Sequence, residues 1–300
     1  MGMEHGQAAL FDRVVIVGVG LLGCSLGLAL KAHGLANHIT GVGRRSSSLD
    51  TARARGAIDA ASLELHKSAA DASLIVIATP AALVVEKLDE TRAACPPHAI
   101  VTDVASTKEA ICRHAAATWP QPRRFIGSHP MAGSEQSGPE HGRAELYEGS
   151  ICLVEEGEGL DAGARAGVVG LWEALGATVV GIAPDAHDTL LARTSHLPHI
   201  MAAALAAVAV RGGDIRQFIG NGFRDTTRIA AGHPEIWRDI CLTNREAILA
   251  GLAELHAHLD EFTAALEAED ARTIESWFRT GQAARKQAVP ETLPLGGASR

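Results

Sequence analysis

Residues 14–30 read VVIVGVGLLGCSLGLAL. Four apolar β-branched residues, Val14–Val17, run into a glycine-rich turn, and a Leu/Ala/Gly stretch of helical composition follows. Gly18, Gly20 and Gly23 fall in a GxGxxG pattern. Alone that pattern is weak; between an apolar strand and a helix it is the mark of a dinucleotide-binding turn. Gly18 permits the tight turn, Gly20 lets the backbone approach a pyrophosphate, and Gly23 allows close packing of helix on strand. Leu21 and Leu22 open the helix, whose N-terminal N–H groups and partial positive charge face the phosphates. The alternative is a set of glycines serving an ordinary βα turn.

Further short apolar runs follow at His38–Val42, Leu74–Ala78, Ile100–Asp103, Phe125–Gly127, Ser150–Val154 and Thr178–Ile182, most of them separated by helix-like segments. Strands alternating with helices predict a doubly wound, Rossmann-type α/β sheet that starts parallel. Continuously apolar strands are what a sheet covered on both faces requires. After about residue 184 the strand signals stop and Ala/Leu-rich helices take over, with Pro184 as punctuation. The expected organisation is a dinucleotide-binding domain over 1–183, an all-α substrate and dimerisation domain over 184–288, and a disordered Pro/Gly-rich tail over 289–300. Leu197–Val210 reads as a buried helix, and Thr243 with Glu246 matches a capping box. Beyond them Ile248, Leu252, Leu255, Leu259, Phe262 and Leu266 alternate spacings of four and three. Such a heptad seam serves either the domain's own core or a helical dimer interface.

The 300 residues are 47% hydrophobic and 21% charged, the balance of a globular chain long enough for two domains. A formal net charge of −8 argues against a nucleic-acid partner and against a polybasic membrane patch. The longest apolar run is short and broken by Pro198 and His199, so no bilayer span is expected. Five scattered cysteines without a CxxC pair and fourteen dispersed histidines predict a reduced, cytoplasmic protein with no metal site. The opening MGMEHGQAAL has no basic n-region and is not expected to act as a signal peptide.

The second strand carries the coenzyme preference. An NAD site wants an acidic residue at its end to bind the ribose 2′-OH. Here residues 39–49 read ITGVGRRSSSL, so Gly43 stands where the acid belongs, followed by Arg44, Arg45 and Ser46. Guanidiniums and a hydroxyl suit a 2′-phosphate, which points to NADP over NAD. The alternative is a solvated basic turn. Thr79 and Pro80, after the next strand, are placed in the same cofactor site. Asp103 is placed there too, with hydrogen bonding to turn backbone as its other reading.

Four further stretches hold the chemistry: VTDVASTKEA (101–110), GSHPMAGSEQSG (127–138), ARTSHLPHIM (192–201) and GNGFRDTTRIAAGHPEIWRD (220–239). The second raises the choice between a plain surface loop and a catalytic loop on a rigid scaffold. Taken together, their D-x-x-S-x-K, G-S-H-P-M-x-G, S-H-L-P-H and F-x-D-x-T-R-I-A runs resemble the prephenate and arogenate dehydrogenase family of tyrosine biosynthesis. The resemblance extends from Val14 to about Asn244, and the GVGRRSS turn is similar to that of the NADP-using members.

That resemblance implies oxidative decarboxylation of prephenate or arogenate with hydride transfer to NADP. The Ile248–Leu266 seam and the apolar Leu197–Val210 helix predict a homodimer through the helical domain. The resemblance implies that His129 accepts the hydrogen bond of the substrate hydroxyl, a task suited to an imidazole near neutral pH. Ser106 matches a serine that orients this histidine and the nicotinamide, Arg228 an arginine on a substrate carboxylate, and His196 a second substrate-site histidine. Glu135 matches a gating carboxylate that helps set substrate preference, with Ser134 and Gln136 beside it; many relatives carry Lys where this chain has Gln136. Arg224 and Trp237 match pocket-lining positions, with plain packing as the other reading of Trp237. Asp185 falls near a position that reaches in from the other subunit. His199 is taken as a structural helix-start residue, and Lys108 as structural or cofactor-proximal. Two rivals are a β-hydroxyacid dehydrogenase and a non-catalytic NADP sensor. The first uses a lysine in its helical domain, and residues 183–284 contain none. The second has no need of His129, Ser106 and Arg228 together.

Overall fold

The computed structural model describes residues 9–133 and 136–289. Six parallel strands form the first sheet: β1 (Phe11–Val17), β2 (Ala36–Val42), β3 (Ala60–Ser62), β4 (Leu74–Ile77), β5 (Ile100–Asp103) and β6 (Phe125–Ile126), in the order β3-β2-β1-β4-β5-β6. This is the doubly wound Rossmann arrangement, and its strand order reverses between β1 and β4, where such folds bind nucleotides. Alternation along β1 separates the two cores. Val14 and Ile16 join one apolar cluster, while Val15 and Val17 join the other. Continuous apolar runs therefore do mark strands buried on both faces. β3 escaped the sequence reading because Ala60–Ser62 is too short and too alanine-rich to stand out.

The expectation that the later runs extend the same sheet is corrected. β7 (Ser128–Pro130), β8 (Ile151–Glu155) and β9 (Thr178–Ile182) form a separate three-stranded sheet, with β7 antiparallel and β9 parallel to β8. The chain changes sheets at Gly127. A Cβ there would lie 2.6 Å from Cys112 Sγ, so only glycine passes without a shift. The GSHPMAG stretch also begins as a buried strand, not as a loop.

The helices are α1 (Leu21–Ala32), α2 (Ser46–Ala54), α3 (Leu65–Ala69), α4 (Ala81–Ala94), α5 (Glu109–Thr118), α6 (Ala162–Ala174), α7 (Pro184–Leu191), α8 (Leu197–Ala209), α9 (Asn221–Thr227), α10 (Pro234–Thr243), α11 (Arg245–Glu267) and α12 (Ala271–Ala288). A π turn, Ala192–His196, joins α7 to α8. Pro198 explains it. Proline lacks the N–H for an α-helical bond to Thr194, and its ring crowds that carbonyl, so a wider turn relieves both.

The described residues divide into two compact units, parted between Arg245 and Glu246. Within the first unit, α8 is not the buried helix expected: Ala202 alone is buried, while Met201, Leu205 and Val208 are exposed. Thr243, expected to open the next helix, is placed differently. Thr243 ends α10, and its hydroxyl donates back to Asp239 O at 2.8 Å. In the second unit, Phe262 of the seam packs on Trp277 of α12 with ring centroids 4.9 Å apart, whereas Leu266 is exposed. Apart from Val289, the expected tail lies outside the described residues.

Candidate active site

The turn after β1 takes the form its glycines require. Gly18 has φ +100°, and a Cβ on it would lie 2.5 Å from Ala78 O. A Cβ on Gly23 would lie 1.9 Å from Gly18 O, so α1 packs directly on the turn. Nothing lies within 4 Å of a Cβ on Gly20, which faces open space, and no side chain caps α1 there. Free N–H groups at a helix start, beside an open cleft, suit a phosphate. The cleft holds about 1020 Å³ and is lined by Gly18, Gly20, Gly43, Arg44, Arg45, Thr79 and Pro80 among others. Thr79 Oγ1 is buried without a hydrogen-bond partner.

Not every residue expected at the cofactor lines this cleft. Ser46 starts α2 outside the lining and Ser48 lines the cleft instead; Leu21 and Gly23 serve packing, and Leu22 lines a second cavity. Asp103 is fully buried, and its carboxylate is engaged by the Lys108 ammonium and by the N–H groups of Ala105 (3.0 Å) and Ser128 (3.1 Å). Its carboxylate is enclosed by protein, and Lys108 is its counter-ion. Lys87, on α4, lines the cleft and was missed, because nothing local in sequence ties it to the Gly43 turn.

The second cavity, of about 460 Å³, adjoins the first: His233 and Ile236 line both. Here β7 contributes His129 and the loop after β5 contributes Ser106; the π turn contributes His196, and Arg228 and Trp237 come from the segments around α10. Ser128 secures β7. Its hydroxyl donates to Asp103 O (2.6 Å) and receives Trp172 Nε1–H (3.0 Å). Side chains alternate along a strand, so anchoring Ser128 on one face delivers His129 to the other.

The His129 ring lies 8% exposed, and its Nδ1 meets His187 Nε2 at 2.9 Å rather than Ser106. Burial first, then the charges of His187, Lys108 and His196, push its pKa well below that of an ordinary histidine. The ring is therefore unprotonated near neutral pH and can accept a proton. His196 is likewise pushed down, to about 4, chiefly by burial. Trp237 combines its two readings: it lines the cavity and stacks on His199, with centroids 3.7 Å apart. His199 lines the cavity too, beyond the structural role expected of it. Arg224, Asp185 and Gln136 are exposed and do not line the cavity, while Ser134 and Glu135 lie outside the described residues. His187 and Asp188 were missed. They read as a polar helix start, and only the fold buries them behind His129.

Residues 26–181 match the family model "Prephenate dehydrogenase, nucleotide-binding domain", and residues 183–280 match "Prephenate dehydrogenase, dimerization domain". The chain belongs to the prephenate dehydrogenase family. It is 31% identical over 276 residues to the prephenate dehydrogenase of Bacillus subtilis, covering 90% of this chain and 74% of that one. Among solved structures, the prephenate dehydrogenase of A. aeolicus in complex with hydroxyphenyl propionate and NAD+ superposes with a TM-score of 0.86 at 28% identity, covering 93% of this chain and 98% of that one. The Synechocystis arogenate dehydrogenase gives 0.79 at 29% identity, covering 92% and 100%. As a member of the family, the chain is an NAD(P)-dependent oxidoreductase with a Rossmann-type nucleotide domain. No helix among the described residues is long and apolar enough to cross a membrane.

Proposed function

We propose that this chain oxidatively decarboxylates prephenate, arogenate or both, with NADP as coenzyme. The observation that carries this reading is one cavity holding an unprotonated buried imidazole, His129, together with the Arg228 cation, beside the glycine-turn cleft. Prephenate and arogenate carry a ring carboxylate and, para to it, a carbinol. Bound NADP would supply the acceptor for the carbinol hydride. His129 Nε2 accepts the hydroxyl proton, and Ser106 faces the same space. Arg228 grips a substrate carboxylate through a charge-assisted pair. His196 binds a second polar group of the substrate. Loss of carbon dioxide then leaves an aromatic ring, and the cavity needs only to hold the substrate and exclude water during that step.

The NADP reading is supported by Arg44 and Arg45 on the cleft wall and by the missing acid at Gly43. Glu135 remains the proposed determinant of keto against amino substrate. The test is the near-ultraviolet absorbance of reduced coenzyme on adding NADP with prephenate and, separately, with arogenate. Absorbance rises with at least one of them; no rise with either overturns the reading.

A homodimer through the helical residues is part of the same proposal. Met201, Leu205 and Val208 on α8 leave a row of large apolar side chains in water in the single chain, a pattern that marks interaction surfaces. Light scattering at micromolar concentration should give twice the chain mass, and a monomer refutes the assembly.

A further inference from the structure

Of the histidines that line the substrate cavity, His129 and His196 are buried, and the groups that hold them do not line it. His129 Nδ1 lies 2.9 Å from His187 Nε2, and His187 Nδ1 lies 2.8 Å from Asp188 Oδ1. The Asp188 carboxylate also accepts the backbone N–H groups of Lys108 (2.7 Å) and Glu109 (3.0 Å) at the start of α5. A carboxylate has no proton to give, and both oxygens of this one already accept a backbone N–H. His187 must therefore donate from Nδ1, which in a neutral ring leaves Nε2 as the acceptor. His129 then donates from Nδ1, and its Nε2 lone pair is left for the cavity.

At His196 the order is reversed. Asn244 Nδ2 donates to Asp188 O at 2.8 Å, which fixes that end of the amide as the NH₂ group. The same nitrogen lies 3.1 Å from His196 Nδ1. An amide NH₂ only donates, so His196 Nδ1 accepts and its proton sits on Nε2. Asp188 thus serves both rings, through its side chain for one and its carbonyl for the other. His187, Asp188 and Asn244 are all buried and none lines the cavity.

We propose that His187, Asp188 and Asn244 are positioning residues that set opposite tautomers on the buried cavity histidines His129 and His196. His129 presents an acceptor at Nε2, for the substrate hydroxyl. His196 presents a donor at Nε2, for a carbonyl or carboxylate oxygen of the substrate. The assignment rests on the reading of His129 as the proton acceptor.

Nitrogen-15 NMR of the histidine-labelled full chain reads the tautomers without turnover, with His129→Asn and His196→Asn spectra assigning the two rings. At neutral pH, His129 should carry its proton on Nδ1 and His196 on Nε2. A proton on His129 Nε2, or the same tautomer on both rings, overturns the proposal. In His187→Leu the His129 signal should become a mixture of tautomers and kcat should fall by about one to two orders of magnitude, the usual loss on removing an orienting partner. KM and coenzyme affinity should hold, and His187→Gln, whose amide oxygen can accept from His129 Nδ1, should recover most of kcat. Asn244→Leu should instead move the His196 tautomer and raise KM, by up to about tenfold for one neutral hydrogen bond. Unchanged tautomers and kinetics in a His187→Leu protein that still binds coenzyme also overturn the proposal; if that variant does not fold, the spectra of the unaltered chain decide. Full activity of His129→Asn would remove the base role alone, because the tautomers are measured independently of it.

Discussion

The two cavities are built on different principles. The cofactor cleft takes its glycines from the turn after β1 and its cations from the turn after the neighbouring strand, β2. Arg44 and Arg45 are exposed there. The substrate cavity draws on a strand, two loops, a π turn and α10, and its His129 and His196 are buried and held by His187 and Asn244 behind them. Exposed charge at a strand end can be exchanged with a local effect. A buried polar group cannot, because its partners lose their hydrogen bonds with it. The largest effects are therefore expected in the cavity.

The sharpest break between the regions is His129→Asn. Turnover should fall by about two to four orders of magnitude, the usual worth of general-base catalysis, with coenzyme affinity unchanged. Steady-state kinetics and a coenzyme titration measure both, and near-normal turnover would sink the assignment.

Acid should weaken the fold through the same rings. The unfolded chain takes up protons near the ordinary histidine value of 6.5, whereas His196 in the fold resists protonation down to about 4. Its contribution is complete above about pH 6.5 and is lost as pH falls toward 4, on the order of 3 kcal/mol in all. Urea midpoints between pH 7 and 4 should decline, and less steeply in His196→Gln. An identical decline in the two proteins would count against a buried neutral His196.

Arg228→Ala should mainly raise KM for substrate, by about ten- to a hundred-and-fifty-fold, for a lost charge-assisted hydrogen bond of roughly 1.5–3 kcal/mol. A change confined to the constant for NADP would move Arg228 from the cavity to the cleft.

The smallest structural disturbance belongs to the cleft. A Cβ on Gly43 would meet Leu49 at an ordinary 3.5 Å, so an added side chain is tolerated there. The native chain should prefer NADP over NAD by about ten- to a hundred-and-fifty-fold, for one contact of roughly 1.5–3 kcal/mol. Gly43→Asp with Arg44→Ala should erase or reverse that preference, since the acid binds the 2′-OH and repels the phosphate. Specificity constants for the two coenzymes decide it; a native ratio below one means the arginines do not hold the phosphate.

The nucleotide fold was legible in the sequence because its signals are local. Each apolar run is one strand, and the glycines of the first turn follow a fixed local pattern: Gly23 packs against Gly18, Gly18 against Ala78 beside the adjacent β4, and Gly20 stays open. His129, Ser106, His196, Arg228 and Trp237 could be named from their motifs, and they do share a cavity. What holds them was not legible. Asp103 reads as a strand-end acid, and only packing turns it into the buried partner of Lys108. Phe125 to Val154 reads as more of one sheet, and the close contact at Gly127 sends the chain into another. His187, Asp188 and Asn244 lie 58, 59 and 115 residues beyond His129 in the chain, so no periodicity or spacing joins them to it. Residue types and local pattern determined which groups this protein has for its chemistry. The tertiary structure decided which nitrogen of each imidazole faces the substrate, because that depends on hydrogen-bond partners brought together only when the chain closes on itself.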